Sequence, residues 1–207
     1  KQIIMKNSIL IFLAIFFISS TIFASAPVTL VSFYQDFTSI EEVRIMADAG
    51  ELDGRVMPFL LDENISLDQK AAVINTLATT EKARRNASTF KQFLARKYKD
   101  NFETMDINKL NGHELFCLGY LTLIDDMGNP DKALPILNLA RTKNQKSQTV
   151  HIIFAVTEAQ EFINKGNNCE GWDTFENTIA NTALNNDMGN IVSYFNVAME
   201  TYKEECE

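Results

Sequence analysis

The sequence predicts an all-α protein, built as a short helical-hairpin solenoid or a bundle. Beyond residue 37 polar and apolar residues seldom alternate, apolar residues recur three and four apart, and Ser, Thr, Asn and Gly stand where helices would start and stop. With four prolines and eight glycines in 207 residues and 46% hydrophobic positions, the chain is neither collagen-like nor disordered and can bury a core of its own.

The first segment reads as an address. An apolar run of ten, Ile9 to Ile18, follows Lys6 and precedes Ala24-Ser25-Ala26, the order of a cleaved signal peptide. A membrane-spanning helix needs about 20 apolar residues, roughly twice this run. Residues 1–26 are therefore expected to be removed, with cleavage near Ala26 and a cut after Ala24 as the alternative, because Pro27 is a poor new N-terminus. The remainder, 27–207, is expected to be one helical domain in the periplasm or the medium, with N-terminal helices over 38–100 and repeat-like pairs over 106–207.

Each helix has its own signals. Thr38 or Ser39 is placed to cap a helix through Ala49, which Gly50 ends. Asp53-Gly54 opens a short apolar stretch, Val56 to Leu61, interrupted by Pro58. Ser66 with Gln69 suggests a capping box before a helix whose inner face is Leu67, Val73, Ile74 and Leu77. A long helix is expected from about Thr80, with Ala83, Ala87, Phe90, Phe93, Leu94 and Tyr98 inside. Arg84, Arg85, Lys91, Arg96 and Lys97 surround it, as a solvated face or a docking patch for an acidic partner. Asn111 with Glu114 starts the helix that ends at Asp125-Asp126. Asn129-Pro130 restarts the chain into Ala133, Leu134, Leu137 and Ala140. Ser147 begins a helix that closes at Lys165-Gly166, and helices over Trp172 to Leu184 and Ile191 to Tyr202 complete the chain.

Leu118-Gly119, then Gly128-Asn129-Pro130-Asp131-Lys132-Ala133-Leu134 with Leu137 and Ala140, resembles a tetratricopeptide or Sel1-like repeat. Small residues at Gly119, Ala133 and Ala140 would let two helices approach closely. The spacing from Gly119 to Ala133 is two residues longer than in that family, and Thr122 stands where it carries a tyrosine. The next helix pair carries Trp172 and Phe175 where small residues belong. The resemblance implies a protein-binding groove, for which His113, Tyr120, Asn138, Arg141 and Gln145 are the candidate contact residues.

Of the three cysteines, Cys169 and Cys206 flank the last two helices. If those helices form a hairpin about Asn185-Asn186-Asp187, arms of roughly 20 and 24 Å bring the two thiols together in an oxidising compartment. Cys117, among Leu115, Phe116, Leu118 and Leu121, reads as a buried free thiol. His113 and His151 lie in no Cys-x-x-Cys or His-x-x-x-His arrangement, so neither a metal nor a cofactor is expected.

No nucleophile elbow, phosphate-binding glycine loop or His-Glu-x-x-His is present. A net charge of −8, which becomes −10 once Lys1 and Lys6 are removed with the leader, disfavours nucleic acid and favours solubility or a cationic partner. The expected function is that of an exported, non-enzymatic protein-protein interaction module with no stable membrane insertion after cleavage. Phe116-Cys117-Leu118-Gly119-Tyr120 is similar to the Cys-x-Gly-Tyr segment of small immunity proteins, which makes a periplasmic inhibitor of a cationic enzyme the alternative. A helical hydrolase using Glu114 as general acid is the third reading, and it requires a raised pKa in a cleft.

Overall fold

The computed structural model describes residues 31–80, 85–126, 130–187 and 189–206, together with Pro27. The proposed leader, its cleavage site, Ala83, Arg84 and Gly128-Asn129 lie outside the described residues. Among the described residues the chain forms α-helices and short 3₁₀ turns without a β-strand. The helices are α1 (Glu41–Ala49), α2 (Met57–Leu61), α3 (Leu67–Asn75), α4 (Asn86–Tyr98), α5 (Gly112–Asp125), α6 (Ala133–Lys143), α7 (Gln148–Asn164), α8 (Asn168–Ile179) and α9 (Ile191–Lys203).

Neighbours in sequence are neighbours in space: α5 packs on α6, α6 on α7, α7 on α8 and α8 on α9, while α3 lies between α1, α5 and the 3₁₀ turn Phe33–Phe37. One apolar core runs from Val31 to Tyr202, and the expected inner face of α3, Leu67, Val73, Ile74 and Leu77, belongs to it. The close approach expected at the small residues is present. A Cβ added to Gly119 on α5 would lie 2.8 Å from the Leu137 side chain and 3.2 Å from its backbone nitrogen on α6, and Ala133 and Ala140 are fully buried. In the next pair the small residue is Gly171, one position before Trp172. There an added Cβ would lie 3.0 Å from the Ala159 carbonyl of α7, so α7 and α8 meet as closely as α5 and α6.

The last hairpin is fastened twice. Cys169, in the first turn of α8, is disulfide-bonded to Cys206, with Cα atoms 5.3 Å apart. Closing a loop with a sequence separation of 37 stabilises the fold by about 3–4 kcal/mol on the chain-entropy account. From the other side, Phe195 of α9 packs at a tilt against Phe33, 5.9 Å between ring centroids, and the Tyr194 hydroxyl donates to Asp36 Oδ1 at 2.9 Å. Phe175, Ile191 and Phe195 are buried in this hairpin, whereas Val197 is 71% exposed.

Several boundaries differ from the sequence reading, each for a local reason. Thr80 is extended, and α4 starts at Asn86, whose amide bonds out to the Leu52 N–H and to Asp125 instead of continuing a helix backward. The first helical residue of α1 follows Ile40, and neither Thr38 nor Ser39 caps it. Ser66 is the residue preceding α3, but its side chain makes no cap bond. Pro58 does not interrupt its stretch; it occupies the first turn of α2, where a missing N–H costs no helical bond. Helix α8 begins four residues before Trp172 and ends at Ile179. Helix α1 ends at Gly50 with φ 66°, and α4 at Lys99 with φ 51°, a left-handed residue whose N–H returns to the Ala95 and Arg96 carbonyls.

Candidate functional site: an open groove and a closed polar seam

The candidate contact residues separate into different surroundings. Asn138 and Arg141 come together on α6. His113 sits in the seam between α3 and α5, half-buried, and Gln145 is exposed at the α6–α7 corner. Tyr120 is fully buried, stacked near Phe116 at 6.0 Å, and its hydroxyl accepts from Asn75 Nδ2 at 3.3 Å. It is a core residue and not a groove contact. Its side of α5 faces α3 and the N-terminal turn, where Asn75 also accepts the Tyr34 N–H and donates to the Val31 carbonyl.

The groove lies between α6 and α7, with a volume of ≈ 490 Å³. Leu134, Asn138 and Arg141 line it from α6 and Phe154, Glu158 and Glu161 from α7, each set at the i, i+4, i+7 spacing that places three side chains on one helix stripe. The Phe154 ring forms the floor. The Arg141 guanidinium carbon stands 4.0 Å from that ring's centroid, and Arg141 Nη2 donates to Asn138 Oδ1 at 2.9 Å. A guanidinium over a ring face gains both attraction to the π system and contact, so Arg141 is held against the ring. Three carboxylates surround it: Asp131, Glu158 and Glu161. Burial pushes the Glu158 carboxyl above its ordinary range, opposed by the nearby Arg141 charge. Glu161 is ion-paired to Lys165 one turn on. The rim is thus negative over an apolar, cation-capped floor, a surface suited to a basic side chain with a long aliphatic stem.

The seam is closed by comparison. Lys70 of α3 is fully buried, and its Nζ lies 3.0 Å from His113 Nδ1. Glu114 is fully buried too, yet it is served from three sides: Lys97 Nζ donates to Oε1 at 2.6 Å, while the Tyr98 hydroxyl at 2.7 Å and the Asn111 N–H at 2.9 Å donate to Oε2. With Asn111 Oδ1 accepting the Glu114 N–H at 2.8 Å, the capping box expected from the sequence is complete. Burial alone would push the Glu114 carboxyl up, but the hydrogen bonds from Lys97, the Asn111 N–H and Tyr98, with the Lys97 charge, together hold it below its usual range. The general-acid reading needed a raised value in a cleft; Glu114 has a lowered one in the interior. Cys117 is the buried free thiol expected, and burial drives it up to about 12, far from thiolate chemistry.

Asp125 has a structural task that the sequence did not reveal. Its Oδ2 accepts the Ala87 N–H and its Oδ1 the Asn86 amide, both at 2.8 Å, so the end of α5 caps the start of α4. On α4 the basic face is divided. Lys97 serves Glu114, while Lys91 and Arg96 lie over the rings of Phe102 and Phe93 at 5.3 and 5.5 Å. Among the described residues no three His, Cys, Asp or Glu side chains converge closely enough to hold a metal ion. Compared with known protein families, with curated proteins and with solved structures, the chain matches none.

Proposed function

We propose that the protein is an exported, non-enzymatic helical interaction module that takes a basic segment of a partner protein in the α6–α7 groove. The observation that carries this reading is the pair of facing stripes, which rings the Arg141–Phe154 stack with Asp131, Glu158 and Glu161 in a chain of net charge −8. Packed helix pairs and the close contact at Gly119 support a tetratricopeptide or Sel1-like relative, a class in which stacked pairs leave such grooves open. A cationic enzyme as the target, the inhibitor reading, suits the same charge pattern. The Cys117 to Tyr120 segment that suggested it contributes no binding surface, being buried.

Export to the periplasm or the medium is supported by the Lys6, apolar-run and Ala24-Ser25-Ala26 order and by the Cys169–Cys206 bridge. Among the described residues no helix is long and apolar enough to cross a membrane. The binding reading is tested by calorimetry with a lysine- and arginine-rich decapeptide. Glu158→Gln combined with Glu161→Gln should weaken binding at least tenfold and flatten its salt dependence. Equal affinity in the double variant, or no binding at low salt, contradicts it.

A further inference from the structure

The Lys70–His113 contact joins two helices through one hydrogen bond between two bases. Among the described residues, the carboxylates near Lys70 are engaged elsewhere. Asp62, from the end of α2, accepts from the Asn64 backbone and side chain, and Glu63 accepts from Asn111 Nδ2 at 2.8 Å. Glu114 on α5 is held by Lys97, Tyr98 and Asn111. The remaining titratable neighbour, Cys117 on α5, is a neutral thiol. With Lys70 as the ammonium donor, the imidazole accepts at an unprotonated Nδ1 and carries its own proton on Nε2.

We propose that His113 is an acid-sensitive latch between α3 and α5: protonation at Nδ1 removes the acceptor of Lys70, sets two cations face to face and releases the seam. The imidazole turns toward solvent, which its half-buried position permits, and the buried ammonium is left without a partner. Release reaches the first turn of α5, which is packed tightly against the end of α6; a Cβ on Gly112 would lie 2.6 Å from the Asn144 amide.

Burial and the facing Lys70 charge lower the His113 pKa, partly opposed by Glu63. The folded state thus binds this proton less well than the unfolded chain, so the contribution to stability is whole above 6.5 and is lost as pH falls through the lower folded value.

The direct test is an NMR titration of both histidines in the intact, disulfide-bonded protein. The expected His113 midpoint lies below 6.5, and Lys70→Met should move it upward. Hydrogen exchange, corrected for intrinsic rates, should quicken in α3 and in the first turn of α5 as pH falls through the His113 midpoint so measured, and His113→Gln should abolish that change while the control His151→Gln retains it. A wild-type midpoint at or above 6.5, or equal quickening in His113→Gln, overturns the latch.

Discussion

The groove and the seam are built from the same kinds of group, a cation, carboxylates and a flat ring, and differ in what water is allowed to do. In the seam Lys70 and Glu114 are both fully buried, so each must be answered by protein atoms. In the groove Glu158 and Glu161 keep access to solvent, and Arg141 is answered by a ring, one amide oxygen and the nearby Glu158 charge. Residues of equal charge therefore do different work: full burial makes Glu114 structural, while Glu158 and Glu161, only half-buried, still face the groove, Glu161 with Lys165 as its ion-pair partner.

Four variants and a pH series would break or sharpen that contrast. The largest effect is expected at Glu114→Gln, where an amide donor replaces an oxygen that accepts from Lys97 or from Tyr98 and Asn111. The unfolding free energy in urea should fall by about 3 kcal/mol. A fall below about 1 kcal/mol would mean that the seam tolerates an unanswered donor and that the contrast is mistaken. Arg141→Ala comes next, at about 1 kcal/mol, because it removes a cation–π contact and uncovers Phe154. Lys70→Met should be neutral or stabilising by about 1 kcal/mol, since an ammonium served by one imidazole gains little by being buried. The smallest effect, within about 0.5 kcal/mol, is expected for Glu158→Gln with Glu161→Gln.

The pH dependence separates the same two regions by sign. The Glu114 pKa is lowered in the fold, so its stabilisation is present above 4.5 and is lost as pH falls through the folded value. Burial raises that of Glu158, so its contribution is whole below 4.5 and is lost as pH rises through the folded value. Urea midpoints measured from pH 3 to pH 7 should thus lose their acid-side slope in Glu114→Gln. In Glu158→Gln they should lose a shallow slope of opposite sense.

Local chemistry was legible in the sequence and distant pairing was not. The Asn111–Glu114 capping box and the Ser147 cap involve residues three apart, and both read directly from the chain. The Cys169–Cys206 pairing followed from matched helix lengths, and the close contact at Gly119 from residue size. What makes Glu114 structural arrives from α4, 16 and 17 residues away, and Asp125 caps a helix that begins 39 residues earlier. Spacing within one helix carries no information about either. Tyr120 was assigned to a groove because an aromatic beside small residues is equally consistent with a core face. Asn138 and Arg141 lie together on α6, and the residues that face them from α7 were not among the candidates. The i, i+4, i+7 stripe of Phe154, Glu158 and Glu161 was available as a signal, although nothing in the sequence says which helix faces it.

The central claim is that the groove, and not the seam or the basic face of α4, meets the partner. Amide chemical-shift mapping with the lysine- and arginine-rich decapeptide tests it directly. The account predicts perturbations concentrated at Asn138, Arg141, Phe154, Glu158 and Glu161, with Lys70, His113 and Glu114 unmoved. Perturbations concentrated on Lys91, Arg96 and Phe102, or none at saturating peptide, would contradict it.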